Sequence, residues 1–311
     1  MSYQYAINAG EVQKINEEYL FKGKKIVYSD PISKEPVSMP LYSAILFPFN
    51  LQNGTMSCDV EFSNICNITR CGFIFNHLLI DGISKYYQVG IRNNNAFCSL
   101  DFYNGKSWDF LALTGSDNNL NINFTYKLKL KIKGNILSFF VNDVPMFYYS
   151  KLENSQGICG IYTFNEYDST IKNVHIDVEK PTAFSIMKFE KDFDSLYQDV
   201  IAPICEECGY KSIRADECYT SSFIIQDIIR EISNASLIIA DITMDNPNVF
   251  YELGYAHALN KPTILLADIA KRDDLPFDIS GYRTIFYSNS IRGKKEIEET
   301  LRKYIENSSN M

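Results

Sequence analysis

The sequence predicts two folds in one chain: an antiparallel β-sandwich or jelly roll over residues 1–180, and an α/β domain with a parallel sheet over residues 181–311. Three observations carry this. From about Leu41 to Val178, short apolar or alternating runs follow one another, divided by turn residues and without helical stretches between them. Beyond Glu179-Lys180-Pro181-Thr182 the period changes, and apolar strand-like runs alternate with amphipathic stretches of roughly 10–15 residues. The length of 311 residues also exceeds that of one typical domain.

In the first half, MSCDVEF, CGFIFNHLLI, YYQVGIR, AFCSLDFY, YKLKLKIKG, ILSFFVND and ICGIYTF read as strands. Turn signals stand between runs at Asn53-Gly54, Asn104-Gly105, Gly134-Asn135 and Asn142-Asp143. The run YKLKLKIKG alternates strictly, with Leu128, Leu130 and Ile132 on one face and Lys127, Lys129, Lys131 and Lys133 on the other, as a strand with one wet face does. Residues 1–40 hold an amphipathic stretch from Val12 to Leu20 and a strand-like KKIVYS, which would complete an edge of the sandwich.

In the second half, AFSIMKF is a buried strand and DSLYQDVIAPICEECG a helix ending at Gly209. YKSIRAD is a strand, SSFIIQDIIREISNA a helix with a Ser cap, and SLIIADIT a near-continuously apolar strand. NPNVFYELGYAHALN follows as a helix, PTILLAD and YRTIFYS as strands, and GKKEIEETLRKYIENS as a terminal helix. Five such strands fit a flavodoxin-like order, 2-1-3-4-5, whose reversal point lies between the first and third strands and opens a ligand crevice beyond their C-terminal ends.

Composition narrows the chemistry. Thirty basic against 38 acidic residues give −8; up to Lys180 there are 16 basic and 17 acidic residues, and after it 14 and 21. Neither half is a basic surface for polymeric DNA or RNA, although a helix N-terminus can still hold one phosphate. No signal-like start and no run of 18 apolar residues is present, so a cytoplasmic chain with reduced cysteines and no membrane span is expected. Cys205 and Cys208 form a lone CxxC without finger-spaced histidines, which reads as helix packing, and no metal is expected. The three histidines lie far apart, leaving carboxylates to carry any catalysis.

The most informative stretch is ADITMDNPNVFYELGYAHALNKPTILL, residues 240–266. Asn246 is a good N-cap and Pro247 suits the first turn, so the helix begins at the crevice and its free amides make an anion site. Glu252 lies one to two turns in, on a face with Asn248 and Tyr255, close to the strand-end Asp241. Such carboxylates can attack an anomeric carbon or stabilise an oxocarbenium ion; equally, Glu252 can be an ordinary helix glutamate and Asp241 a strand-end cap.

The string NPNVFYELGYAHALNKP resembles the nucleoside 2-deoxyribosyltransferase-like group, which shares its fold with TIR domains. With IMKF, IRADE and DLPFDISGYRTIFY it is similar to the TIR-like subgroup, over about 105 residues. The resemblance implies that Glu252, in YELGYA, is the catalytic glutamate for cleaving a base–sugar bond of NAD or a nucleotide. Six positions earlier, where the transferases carry an acid, this chain has Asn246 beside Asp245. Asp241 joins Glu252 as the second catalytic candidate; Lys188, Phe189, Arg214, Asp216, Asn246, Asn248 and Tyr255 are candidate nucleotide contacts. Tyr251 also offers a ring for a base, whereas His257 and the KRDD run at 271–274 read as packing and solvated loop.

The order YKLKLKIKGNILSFFVNDV, QGICGIY, IKNVHIDV resembles concanavalin A-like (laminin G-like) sandwiches over about 140 residues. A sandwich joined to a TIR-like domain is similar in layout to bacterial antiviral defence or signalling effectors. No cofactor is expected beyond NAD or a nucleotide as substrate or ligand. The expected partners are that nucleotide, further copies of the chain, and a glycan or protein for the sandwich. A non-catalytic nucleotide-binding module and a glycan-binding protein are the competing readings.

Overall fold

The computed structural model describes residues 4–29, 35–116, 118–152, 157–215, 224–272 and 274–308. The chain divides into two compact units: Met1–Ile132, Leu137–Tyr149 and Gln156–Val178 form the first, and Lys133–Ile136, Ser150–Ser155 and Glu179–Met311 the second.

The first unit is an antiparallel β-sandwich. Its strands are β1 (Ala6–Ala9), β2 (Val12–Ile15), β3 (Glu18–Phe21), β4 (Lys25–Ser29), β5 (Pro36–Asn50), β6 (Gly54–Phe62), β7 (Arg70–Ile80) and β8 (Ile83–Arg92). There follow β9 (Cys98–Tyr103), β10 (Trp108–Thr114), β11 (Tyr126–Lys133), β12 (Ile136–Val141), β13 (Val144–Tyr149), β14 (Ile158–Asn165) and β15 (Ser169–Val178). One sheet runs β1-β5-β14-β7-β8-β9-β10 with β4 paired to β5, the other β13-β12-β11-β6-β15-β3-β2. The ring of Tyr19 on β3 meets that of Phe47 on β5 edge-on at 6.1 Å, joining the two sheets through the core.

Period two explains the packing. In β11, Tyr126, Leu128, Leu130 and Ile132 are buried, and Lys127, Lys129 and Lys131 are exposed. The turns fall where the sequence places them: Asn142 and Asp143 both adopt positive φ between β12 and β13, as a two-residue hairpin demands, and Gly105 does so between β9 and β10. The stretch from Val12 to Leu20 is a hairpin, β2 to β3, turned by Asn16 at φ 56°, and it forms an edge of the second sheet.

The second unit is a parallel sheet of β16 (Thr182–Ile186), β17 (Lys211–Arg214), β18 (Leu237–Asp241), β19 (Thr263–Asp268) and β20 (Thr284–Tyr287), ordered β17-β16-β18-β19-β20. Helices cover both faces. Leu237 and Ile239 of β18 pack with Phe193, Ile201, Leu301 and Ile305, whereas Ile238 and Ala240 pack with Ile232, Val249, Leu253 and Ala256. The near-continuous apolar run of β18 follows from this two-sided burial.

The helix predicted through Gly209 is not uniform. It consists of α1 (Lys191–Leu196), a π-helical turn over Tyr197–Ile201, and α2 (Ala202–Glu207), and Gly209 ends it at φ 85°. Pro203, which has no amide hydrogen to donate, sits at the start of α2, so the regular ladder is interrupted just upstream. The remaining helices are α3 (Ile224–Asn234), α4 (Pro247–Ala258) and α5 (Ile291–Ser308). No helix among the described residues is long and apolar enough to cross a membrane.

Candidate functional site

The chain leaves β16 toward α1 on one face of the sheet and leaves β18 toward α4 on the other. β16 and β18 are neighbours, so the loops at their C-terminal ends separate and open a cleft between them. This cleft, of about 330 Å³, is lined from the first loop by Met187, Lys188 and Phe189, from α3 by Ile225 and Ile228, and from α4 by Asn246, Asn248, Val249, Tyr251 and Glu252.

Local chemistry positions the α4 residues. Asn246 is extended (φ −124°, ψ 115°), and its side-chain oxygen accepts the Asn248 amide at 2.9 Å, so it caps a helix that Pro247 opens. Val249, Leu253 and Ala256 anchor the buried stripe of α4. Glu252 precedes Leu253 on the shoulder of that stripe, half-buried in the cleft wall. Burial there pushes its carboxyl up to about 7, so near neutral pH it stands close to half-protonated.

The other predicted residues divide. Lys188 and Phe189 line the cleft; Lys188 pairs with Glu190 at 2.5 Å, and Phe189 is 55% exposed, an apolar ring open to a ligand. Tyr251, 58% exposed, stands beside them. Asn248 lines the cleft, while the Asn246 oxygen is engaged in capping. Asp216 lies outside the described residues, as do Glu217 and the serines expected to cap α3.

Three expectations are corrected. Arg214 does not line the cleft: it is 5% exposed, paired with Asp194 at 2.8 Å, with the Tyr197 ring 4.8 Å and the Phe189 ring 5.7 Å from its guanidinium carbon. A strand-end cation here is satisfied by protein groups and props the ring that does face the cleft. Asp241 does not join Glu252. Its Oδ1 accepts the Thr243 amide at 2.9 Å, its Oδ2 accepts the Tyr287 hydroxyl at 2.9 Å, and burial raises its carboxyl to about 6. Tyr287 belongs to a smaller cleft of about 120 Å³ among Asp192, Phe193, Asp268 and Lys271, on the α1/α5 face. Tyr255 packs against the core beneath α4 instead of lining the cleft.

Sequence reasoning passed over Met187, Ile225 and Ile228, whose only signal was membership of apolar stripes. It also read KRDD as solvated, yet the Arg272 side chain is only 12% exposed: its Nε donates to the Thr243 carbonyl at 3.4 Å and its Nη2 pairs with Asp245. Arg272 thereby ties the loop after β19 to the loop that leads into α4. His257 stacks on Tyr282 with centroids 3.9 Å apart, a packing role. Cys205 is buried in the core beneath α2.

No protein-family model matches the chain, and no curated protein matches it in sequence. Among solved structures, the chain is similar to the carbohydrate binding module CBM66 from Bacillus subtilis, at 12% identity and a TM-score of 0.43 over 55% of this chain and 92% of that one. It is also similar to a Bacillus licheniformis beta-glucanase, at 9% identity and 0.38 over 57% and 92%. The laminarinase catalytic domain from Thermotoga maritima follows at 7% identity and 0.40, over 56% and 91%.

Proposed function

We propose that the C-terminal unit binds NAD or another nucleotide in the cleft of Lys188, Phe189, Tyr251 and Glu252 and cleaves the bond between base and sugar. The observation that carries this reading is the half-buried Glu252 carboxyl, raised to about 7, standing in an aromatic-walled cleft at the C-terminal ends of β16 and β18. Phe189 and Tyr251 offer faces to a base. Lys188 and the N-terminus of α4 offer positive charge to a phosphate.

The reaction balances with these groups. The base leaves with the electron pair of the N-glycosidic bond, the sugar becomes oxocarbenium-like, and water adds to the anomeric carbon and releases a proton. An ionised Glu252 beside that cation stabilises it, the more so because the carboxylate is half-buried. For a base that must be protonated to leave, the protonated fraction of Glu252 supplies the proton. Nicotinamide leaves as a neutral base and needs none.

A second reading, a nucleotide-binding module without turnover, draws on Asn246, whose oxygen is spent on the helix cap. In both readings the sandwich is the module that takes a glycan or protein, and the whole chain serves defence or signalling.

The test is to incubate the full chain and its Glu252→Gln variant with NAD, nucleoside monophosphates and deoxynucleosides, and to separate products by chromatography. Free base from the unaltered chain alone supports cleavage. Saturable nucleotide binding without any product, at enzyme stoichiometric with substrate, overturns it in favour of the binding module.

A further inference from the structure

The outer face of the β5-β14-β7-β8-β9-β10 sheet, turned away from the sandwich core, is not an ordinary wet face. Alternation sends Val89 and Ile91 of β8 into the core and Gln88, Gly90 and Arg92 outward, yet Gln88 and Arg92 are 3% and 2% exposed. Arg70 of β7 stands directly across from Arg92 in the strand register, and Gln88 across from Asp101 of β9. Between the charged ends, Gly72 and Gly90 face each other; a Cβ on Gly72 would lie 2.1 Å from the Val89 oxygen, so this floor admits no side chain.

The polar groups on this floor are poorly matched to one another. Nε and Nη1 of Arg92, Nε of Arg70 and Oδ1 of Asp101 are all buried, and none has a hydrogen-bond partner among the described residues. Asp101 is satisfied on its other oxygen alone, by the Ser99 hydroxyl at 2.9 Å. Two guanidiniums against one carboxylate leave an excess positive charge in a site that burial makes costly. Burial and the neighbouring Arg70 push the Arg92 guanidinium down, in keeping with an unmet cation. Native proteins rarely leave buried donors of a charged group unmet without a partner to come.

An exposed ring covers the site. Phe110 lies 5.8 Å above the Arg92 guanidinium and is itself 58% exposed, which puts the roof of the site at the solvent boundary. Two residues along β10, Trp108 packs with Tyr86 and Tyr103 at 5.6 and 5.0 Å on the same face.

We propose that Arg70 and Arg92 form a binding site for an oxyanion, a carboxylate, sulfate or phosphate group of a small ligand, on the outer face of the sandwich. An oxyanion accepts several charged N–H donors at once and carries the opposite charge, which answers the unmet donors and the surplus charge together. Asp101 Oδ1 remains to accept a hydroxyl or an amide of the same ligand. The site stands independently of any activity of the C-terminal unit.

The chain contains a single tryptophan, Trp108, so its fluorescence reports on this face alone. Sulfate, phosphate and glucuronate are titrated into the full chain at constant ionic strength against chloride and glucose, with fluorescence and melting temperature as readouts. A saturable response to the oxyanions, at least tenfold weaker in Arg92→Gln and in Arg70→Gln, is expected. Glucuronate acting alone identifies an acidic sugar; inorganic anions acting equally well identify a free anion. An equal response to glucose or chloride, the absence of any response, or a response undiminished in the variants overturns the proposal. Arg70 is only partly buried, so its variant keeps the test decisive should Arg92→Gln fail to fold.

Discussion

The guanidinium of Arg214 lies between the rings of Phe189 and Tyr197, 5.7 and 4.8 Å from their centroids, and is held there by Asp194 at 2.8 Å. A cation at the end of β17 thus serves the ligand cleft indirectly, by fixing the ring that faces it. Replacing Arg214 with Gln removes a part-buried charge pair and two cation–π contacts, for a loss of about 1–3 kcal/mol. Urea unfolding measures this. Under the proposed function, the same variant raises KM through a looser Phe189 and leaves kcat within several-fold.

Glu252 gives a pH signature of its own. Its folded-state value of about 7 lies above the ordinary 4.5, so its contribution to stability is fully present below about 4.5 and lost as pH rises through 7. Glu252→Gln removes that loss. The variant is expected to match the unaltered chain near pH 4 and to exceed it by about 1–3 kcal/mol at pH 8.5, after discount for partial exposure. Thermal melts across that range decide the point, and a pH-independent difference contradicts a titrating, buried Glu252.

Asp241 separates positioning from chemistry. Asp241→Ala loses the Thr243 and Tyr287 hydrogen bonds and is expected to cost about 1–3 kcal/mol. Its carboxylate does not line the Glu252 cleft. Asp241→Asn should therefore keep base release within several-fold, while Glu252→Gln abolishes it. Side-by-side product assays of the two variants test the assignment, and an inactive, well-folded Asp241→Asn would return Asp241 to the reacting site.

In the sandwich, neighbouring positions should differ sharply. Leu130 is fully buried and Lys129 exposed on the same strand. Leu130→Ala is expected to cost about 2–5 kcal/mol and Lys129→Ala less than about 0.5 kcal/mol, read by denaturant midpoints.

Local rules carried much of this protein. The strict alternation of YKLKLKIKG produced β11 with its lysines outward, Asn142-Asp143 turned a hairpin, Asn246-Pro247 opened α4, and strand-helix alternation produced the parallel sheet, because each depends on residues within one turn or one pleat. The short strands β2 and β3 were less legible, since β3 owes its stability to pairing with a distant β15 and β2 to pairing with β3. The fate of charged side chains belonged to tertiary structure altogether. Arg214 and Arg272 found carboxylates 20 and 27 residues away, Asp241 found a hydroxyl 46 residues away, and Arg92 was laid opposite Arg70 by strand pairing. Periodicity tells which side of an element turns inward; only the packed fold decides which group waits there, and an ionisable side chain takes its role from that group.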